Sequence, residues 1–325
     1  MKSSARRTPA LEALLKRQRE KQVRQMGVAL LAGTALLAAF VVFVPRPETF
    51  LAAEPAEEPA ATQPAPDSYA GVSLIGEAAI VYDLSTGETL FARDSTTQLP
   101  LASLTKLLTI YAAADSMAAT DTVTITDSAL AAEGESGFLP GERFAFADLA
   151  RLALVASSND AAQAIAEAAE ARRSLSGPNL LASAASSAGL SQTYALNGTG
   201  LDESLSVSGG YGSAKDVAIL AGALLEKAPK IARASVEPSM TITSDVGVVH
   251  TLPNTNPYAA QVPNILLSKT GYTDLAGGNL VVVYDAGIDH PVAIVVLGST
   301  VSGRFSDVRE LLDRTHAHFA GVEYR

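Results

Sequence analysis

Residues 26–44 read MGVALLAGTALLAAFVVFV, a run of 19 residues without a charge. A helix over such a run rises ~1.5 Å per residue and reaches about 28 Å, enough to cross the hydrocarbon core of a bilayer. It is apolar on every face, whereas a surface helix of a soluble domain keeps a polar side. The 25 residues before it carry eight Lys or Arg against two Glu, a net charge of +6. Basic residues beside a span mark its cytoplasmic side. The sequence therefore predicts a basic cytoplasmic segment (1–25), a transmembrane signal-anchor helix (26–44), and everything after Pro45 outside the cytoplasm. A cleaved signal peptide is the rival reading, with Leu51-Ala52-Ala53 the nearest small-residue site. The long polar lead and the length of the apolar run favour an uncleaved anchor.

Composition changes at Pro45. Six of the chain's 16 prolines fall between Pro45 and Pro66, among Ala and Glu, so residues 45–72 read as an extended tether that cannot form a core. The folded domain is expected over residues 73–325. Beyond residue 25 the chain has 24 − 8 = 16 basic and 34 − 2 = 32 acidic residues, a net −16, which argues against a nucleic-acid binder. With no cysteine, disulfides and thiolate metal sites are excluded. His316 and His318 share a short segment, but their spacing matches no metal pattern, and they read as surface residues of a terminal helix.

Chemistry concentrates in three short stretches. In Leu99-Pro100-Leu101-Ala102-Ser103-Leu104-Thr105-Lys106, Pro100 cannot continue a helix from before it. Ser103 therefore falls at or near a helix N-terminus, where free N–H groups and the macrodipole favour negative charge. Lys106 lies one turn on, on the same face. A lysine whose pKa is lowered by burial or by a second cation can take the serine's proton. The second stretch is Ala156-Ser157-Ser158-Asn159-Asp160, between two apolar helical runs. The third is Ser268-Lys269-Thr270-Gly271-Tyr272-Thr273, ahead of strand-like sequence. Each has a bland reading: Ser157 as the cap of a helix starting at Asp160, Asn159 as a turn residue, Lys269 as a solvated strand end. Capping alone does not predict all three stretches in this order.

The element pattern supplies the frame. Residues 78–83 read as a strand, 84–87 as a turn and 88–92 as the returning strand. Residues 146–155, 160–172 and 214–227 are helical, and 122–125 a short strand. Residues 266–270, 280–284 and 292–297 are strands, and 306–319 a last helix. Gly209-Gly210-Tyr211-Gly212 reads as a loop. Strands at both ends with helices between them predict an α/β (α+β) fold: an antiparallel sheet flanked by helices, with an inserted helical lobe. The motifs would meet where lobe and sheet join.

Ser-x-x-Lys, Ser-x-Asn and Lys-Thr-Gly in that order form the motif set of penicillin-binding proteins and serine β-lactamases. Residues 76–301 resemble low-molecular-weight penicillin-binding proteins of the D-alanyl-D-alanine carboxypeptidase type. Supporting residues are Tyr82-Asp83 with Gly87, Leu139-Pro140-Gly141-Glu142, Asn159-Asp160-Ala161-Ala162, Gly198-Thr199-Gly200-Leu201, and Ala276-Gly277 after the third motif. The resemblance implies that Ser103 attacks the terminal D-Ala–D-Ala bond of a peptidoglycan stem peptide. Lys106 would be the general base, its proton affinity lowered by Lys269, and Ser157 would pass the proton to the leaving amine. Asn159 would hold the substrate amide; Lys269 and Thr270 would bind the terminal carboxylate. Gly271 would let the peptide lie along the strand, and the N–H groups of Ser103 and Tyr272 would form the oxyanion hole. β-Lactams would be trapped as inhibitors; no cofactor or metal is implied, and the membrane would be met through the N-terminal helix.

The chain departs from the family in two places. The family's Met-Asn pair before Gly189-Leu190 is replaced by Leu180-Leu181-Ala182-Ser183-Ala184-Ala185. Beyond Val301 only one helix remains, so the second β-rich domain of some relatives is missing. Alternatives are a D,D-endopeptidase of peptide cross-links and an idle penicillin-binding cell-wall sensor. A class A β-lactamase is disfavoured, because Glu167 and Glu170 lie on an alanine-rich helix without the expected loop signature.

Overall fold

The computed structural model describes residues 16–17, 19–24, 67–134 and 136–322. The membrane-span reading of 26–44 lies outside them, as does most of the tether. Among the described residues no helix is long and apolar enough to cross a membrane. Residues 16–17 and 19–24 are helical and are assigned to a different unit of the chain from residues 67–322.

The larger unit is built on an antiparallel sheet of five strands, β1 (Ala78–Asp83), β2 (Thr89–Arg93), β3 (Ile265–Thr273), β4 (Gly277–Asp285) and β5 (Pro291–Ser299), in the spatial order β3-β4-β5-β1-β2. Side chains alternate across a strand, and the apolar residues divide accordingly. Ala78, Ile80, Val281, Val283, Ala293 and Val295 enter one core; Ala79, Val81, Leu280, Val282, Ile294 and Val296 enter the other. With both faces covered, β1, β4 and β5 read as nearly unbroken apolar runs, hence their legibility in sequence. The turn after β1 is an Asx turn: Asp83 Oδ1 accepts from Ser85 N at 2.8 Å and Thr86 N at 3.1 Å. Gly87 follows at φ +76°.

The first core lies under α1 (Thr105–Ala113), α2 (Phe146–Val155), α3 (Asn159–Arg173), α4 (Gly177–Ser187) and α5 (Ala214–Lys227). Every residue of α1 is buried. Leu180, Leu181, Ala184 and Ala185 seat α4 where the family's Met-Asn pair is absent. The second core is closed by α6 (Gly303–Ala320) and by the start of the unit, where Tyr69 packs on Phe91 and His318. The packed fold thus takes in Ser68 and Tyr69, both buried, ahead of the expected boundary near residue 73. His316 and His318 are exposed on α6.

One local expectation fails, and one element goes unforeseen. Gly210–Gly212 is not a loop but the middle of a small sheet, pairing with Leu99–Pro100 on one side and Tyr194–Ala195 on the other. Its missing side chains admit Thr105, whose Oγ1 lies 2.3 Å from where a Cβ on Gly210 would stand. A hairpin, Ser239–Thr243 with Val249–Pro253, has no counterpart in the sequence reading, since only Ile242 and His250 of its ten residues are buried and its apolar alternation is weak.

Candidate active site

Ser103 sits in a 3-10 turn, Ala102–Leu104, that leads straight into α1. The turn is held on several sides. Leu101 N donates to Gly210 O at 2.9 Å, and Asn279 of β4 donates from Nδ2 to Pro100 O at 2.9 Å. Ala102 is buried with φ +48°, a costly conformation for alanine. A Cβ on Gly200 would stand 1.9 Å from Ala102 O, so only glycine lets that loop close on the turn. Ser103 caps no helix, and its hydroxyl is left to face Lys106.

Lys106 is fully buried, with Nζ 2.8 Å from Ser103 Oγ, 2.6 Å from Asn159 Oδ1 and 2.8 Å from the Thr199 carbonyl. Asn159, the first residue of α3, is turned by a second bond, donating from Nδ2 to Glu133 O at 2.5 Å; this fixes its oxygen toward the lysine. Burial lowers the Lys106 pKa to about 7. A neutral amine keeps two N–H bonds and one lone pair. Asn159 Oδ1 and Thr199 O accept the two hydrogens, and the lone pair is left to accept the proton of Ser103.

Ser157 is not a cap. Its φ of +58° turns Oγ toward the sheet, where it accepts from Lys269 Nζ at 2.8 Å. Ser158 does the capping instead: its Oγ accepts from Ala161 N at 3.1 Å and meets Ser136 Oγ at 2.5 Å. Lys269 is buried on β3, the edge strand of the sheet, and also donates to the Thr270 carbonyl at 2.8 Å. Its pKa is lowered well below the lysine range by burial first, then by the charges of Lys106 and Arg304. Thr270 Oγ1 pairs with Thr255 Oγ1 at 2.7 Å. Tyr272 is half exposed beyond the motif.

Gly271 serves closeness within the protein. A Cβ there would stand 2.9 Å from Leu101 O and 3.3 Å from Ser103 N, so the bare residue lets β3 lie against the Ser103 turn. The structure brings seven of the eight residues singled out in the sequence together where lobe and sheet meet, and Tyr272 follows them on β3 with its side chain half exposed. Arg304 of α6 was missed: it is buried and donates from a terminal amino group to Gly271 O at 2.6 Å. It sits 35 positions beyond Lys269 in an ordinary helix, and no local pattern marks it. Thr255 and the Glu133 carbonyl were missed for the same reason. Thr199 lay within a stretch already quoted.

The sequence model describing D-alanyl-D-alanine carboxypeptidases matches residues 61–301. The chain is 31% identical over 249 residues to D-alanyl-D-alanine carboxypeptidase DacA of Escherichia coli K12, an alignment covering 73% of this chain and 59% of that protein. It is 30% identical over 226 residues to DacB2 of Mycobacterium tuberculosis, covering 67% and 72%. It thus spans about three fifths of the Escherichia coli relative. Among solved structures, the penicillin-binding protein homologue Rv2911 of Mycobacterium tuberculosis superposes with a TM-score of 0.67 at 25% identity, over 80% of this chain and 96% of that one. The fold is shared with ampicillin-bound penicillin-binding protein D2 of Listeria monocytogenes, at a TM-score of 0.64 and 24% identity over 74% and 97% of the two chains.

Proposed function

The chain belongs to the D-alanyl-D-alanine carboxypeptidase family, and from that premise we propose that it is a membrane-anchored serine carboxypeptidase acting on the D-Ala–D-Ala end of peptidoglycan stem peptides. The observation that carries this reading is the buried Lys106 Nζ, placed 2.8 Å from the Ser103 hydroxyl with a pKa lowered to about 7. A lysine so placed can act as a base at neutral pH. In this reading Ser103 Oγ attacks the carbonyl carbon of the penultimate D-Ala as its proton passes to Lys106. The N–H groups of Ser103 and Tyr272 hold the oxyanion. Collapse breaks the C–N bond, and the leaving amine takes a proton through Ser157. Water then hydrolyses the Ser103 ester. The nearby guanidinium of Arg304 brings positive charge to this end of the cleft, and Lys269 Nζ and the Thr270 hydroxyl supply hydrogen-bond donors, suited to the departing residue's carboxylate.

β-Lactams fit the same reading. Their ring amide opens on Ser103, but the amine stays tethered and cannot leave. A β-lactamase would need a carboxylate to activate the deacylating water. Glu167 is committed elsewhere, accepting from Thr126 Oγ1 at 2.6 Å and from Gln163 Nε2 at 3.1 Å. The anchor is the apolar run 26–44, with the catalytic unit on the extracytoplasmic side.

The test is intact-mass spectrometry of the full chain after exposure to penicillin, beside D-Ala release from a pentapeptide ending in D-Ala–D-Ala. We expect one penicillin adduct on wild type, none on Ser103→Ala, and D-Ala release by wild type alone. An adduct without release would leave the endopeptidase and sensor readings, told apart by cleavage of a cross-linked peptide dimer; no adduct on a folded chain would sink the nucleophile assignment.

A further inference from the structure

An apolar recess lies away from the catalytic residues. It occupies about 480 Å³ between α6, the outer face of the sheet and the loop 256–262. Leu280 and Val282 form its floor, Val308 and Leu312 its wall, and Tyr258 and Phe305 its mouth. The two rings meet edge to face with centroids 5.1 Å apart, and Tyr258 is 48% exposed. A recess of this size, apolar within and polar at the rim, is the form small-molecule sites take. Of the residues lining it only Arg309 carries a charge. Arg309 is exposed and also meets Asp313 at 3.2 Å. Arg309 is thus the one charged side chain lining an otherwise apolar recess, and an apolar acid that reaches its terminal amino groups pairs with it where a neutral or cationic molecule does not.

Both walls of the recess are tied to the catalytic strand. On the loop side, Asn256 takes the Tyr258 N–H on Oδ1 at 3.0 Å and donates from Nδ2 to Ser268 Oγ at 2.8 Å. Its neighbour Thr255 meets Thr270 Oγ1. On the helix side, Phe305 follows Arg304, which holds the Gly271 carbonyl. A molecule that parts Tyr258 from Phe305 therefore pulls on residues bonded to Ser268, Thr270 and Gly271.

We propose that this recess is a regulatory site for a small amphipathic anion, an aryl or alkyl acid, and that filling it slows acylation of Ser103. The rate arm rests on the function proposed above; the binding arm does not. The probe is 4-benzoylbenzoate, photolysed with the full chain and mapped by peptide mass spectrometry. We expect saturable labelling confined to peptides containing residues 256–262 or 305–312. The neutral benzamide analogue should label at least tenfold less, and Arg309→Gln should weaken labelling about tenfold. Ser306→Trp, which fills the recess from the helix surface, should abolish it. Saturating probe should slow penicillin acylation of wild type two- to tenfold and leave Ser306→Trp unaffected. Labelling elsewhere, or labelling indifferent to Ser306→Trp and Arg309→Gln, would overturn the site. Specific labelling with an unchanged acylation rate would overturn the regulation. If the unliganded chain does not acylate at all, the function reading fails while labelling still decides the site.

Discussion

Lys106 has three partners, and its protonation state decides what it does with them. As an ammonium it donates to Ser103 Oγ, Asn159 Oδ1 and Thr199 O, and cannot accept the serine proton. With the pKa lowered by burial to about 7, acylation by penicillin should fall about tenfold per pH unit below that value and level off above it. Lys106→Arg should lose acylation by more than about a thousandfold; stopped-flow acylation across pH 5–9 checks both. The same shift bears on stability. Between about 7 and the ordinary lysine range the unfolded chain binds a proton that the folded one does not, so this group's contribution rises with pH there. Gly271→Ala brings a Cβ within 2.9 Å of a backbone oxygen beside the nucleophile. We expect acylation at least tenfold slower with the melting temperature lowered by only a few degrees, read by penicillin kinetics and calorimetry. At this scale the sequence was informative because the chemistry fixes residue type and spacing inside each motif. Arg304 carries no such mark, since its neighbours in the cleft come from other segments.

The elements that bring these residues together are of two kinds. Strands and helices with strong apolar patterns, such as β1, α2 and α5, were placed from sequence to within a residue, because burial on one or both faces writes the pattern directly. The connecting pieces are held by polar contacts that periodicity does not record. Glu142 and His250 are the clearest case. Both are buried, with Glu142 Oε1 3.0 Å from His250 Nε2, and Phe138 and Phe144 pack on the imidazole. Glu142 Oε2 also takes the Leu139 N–H at 2.7 Å. The pair joins the loop bearing Glu133, which holds Asn159, to the hairpin that leads into Thr255. Burial pushes the Glu142 carboxyl up, but the bonds from His250 and Leu139 outweigh it, and its pKa lies below the usual value. A carboxylate so held stabilises the fold above its unfolded pKa, and that contribution is lost as pH falls through the folded one. Glu142→Gln should therefore melt lower than wild type at pH 7, and the gap should narrow in acid. A gap independent of pH would mean the pair contributes shape and not charge.

The whole unit depends on the two ends of the folded chain meeting. β1 comes first in sequence, yet lies between β5 and β2 in the sheet, so the sheet cannot close until the last strand is in place. Everything between β2 and β3, including Ser103, Lys106 and Ser157, is an excursion from that sheet. Asp307 of α6 joins the ends. Buried, it accepts from Ile75 N at 3.0 Å, Gly76 N at 2.8 Å and Ser299 Oγ at 2.8 Å. Asp307→Ala would strand these donors in the core at a cost of about 3 kcal/mol. Because the sheet is shared, that cost should fall on the entire unit. Near-ultraviolet dichroism and penicillin-acylating capacity should be lost together, at a melting temperature several degrees below wild type. At 25 °C the acylation rate should be unchanged. A slow rate at 25 °C with normal melting would show instead that Asp307 acts on the cleft through Arg304, one turn away on the same helix. Loss of acylation well below the dichroism transition would show that the lobe opens independently of the sheet.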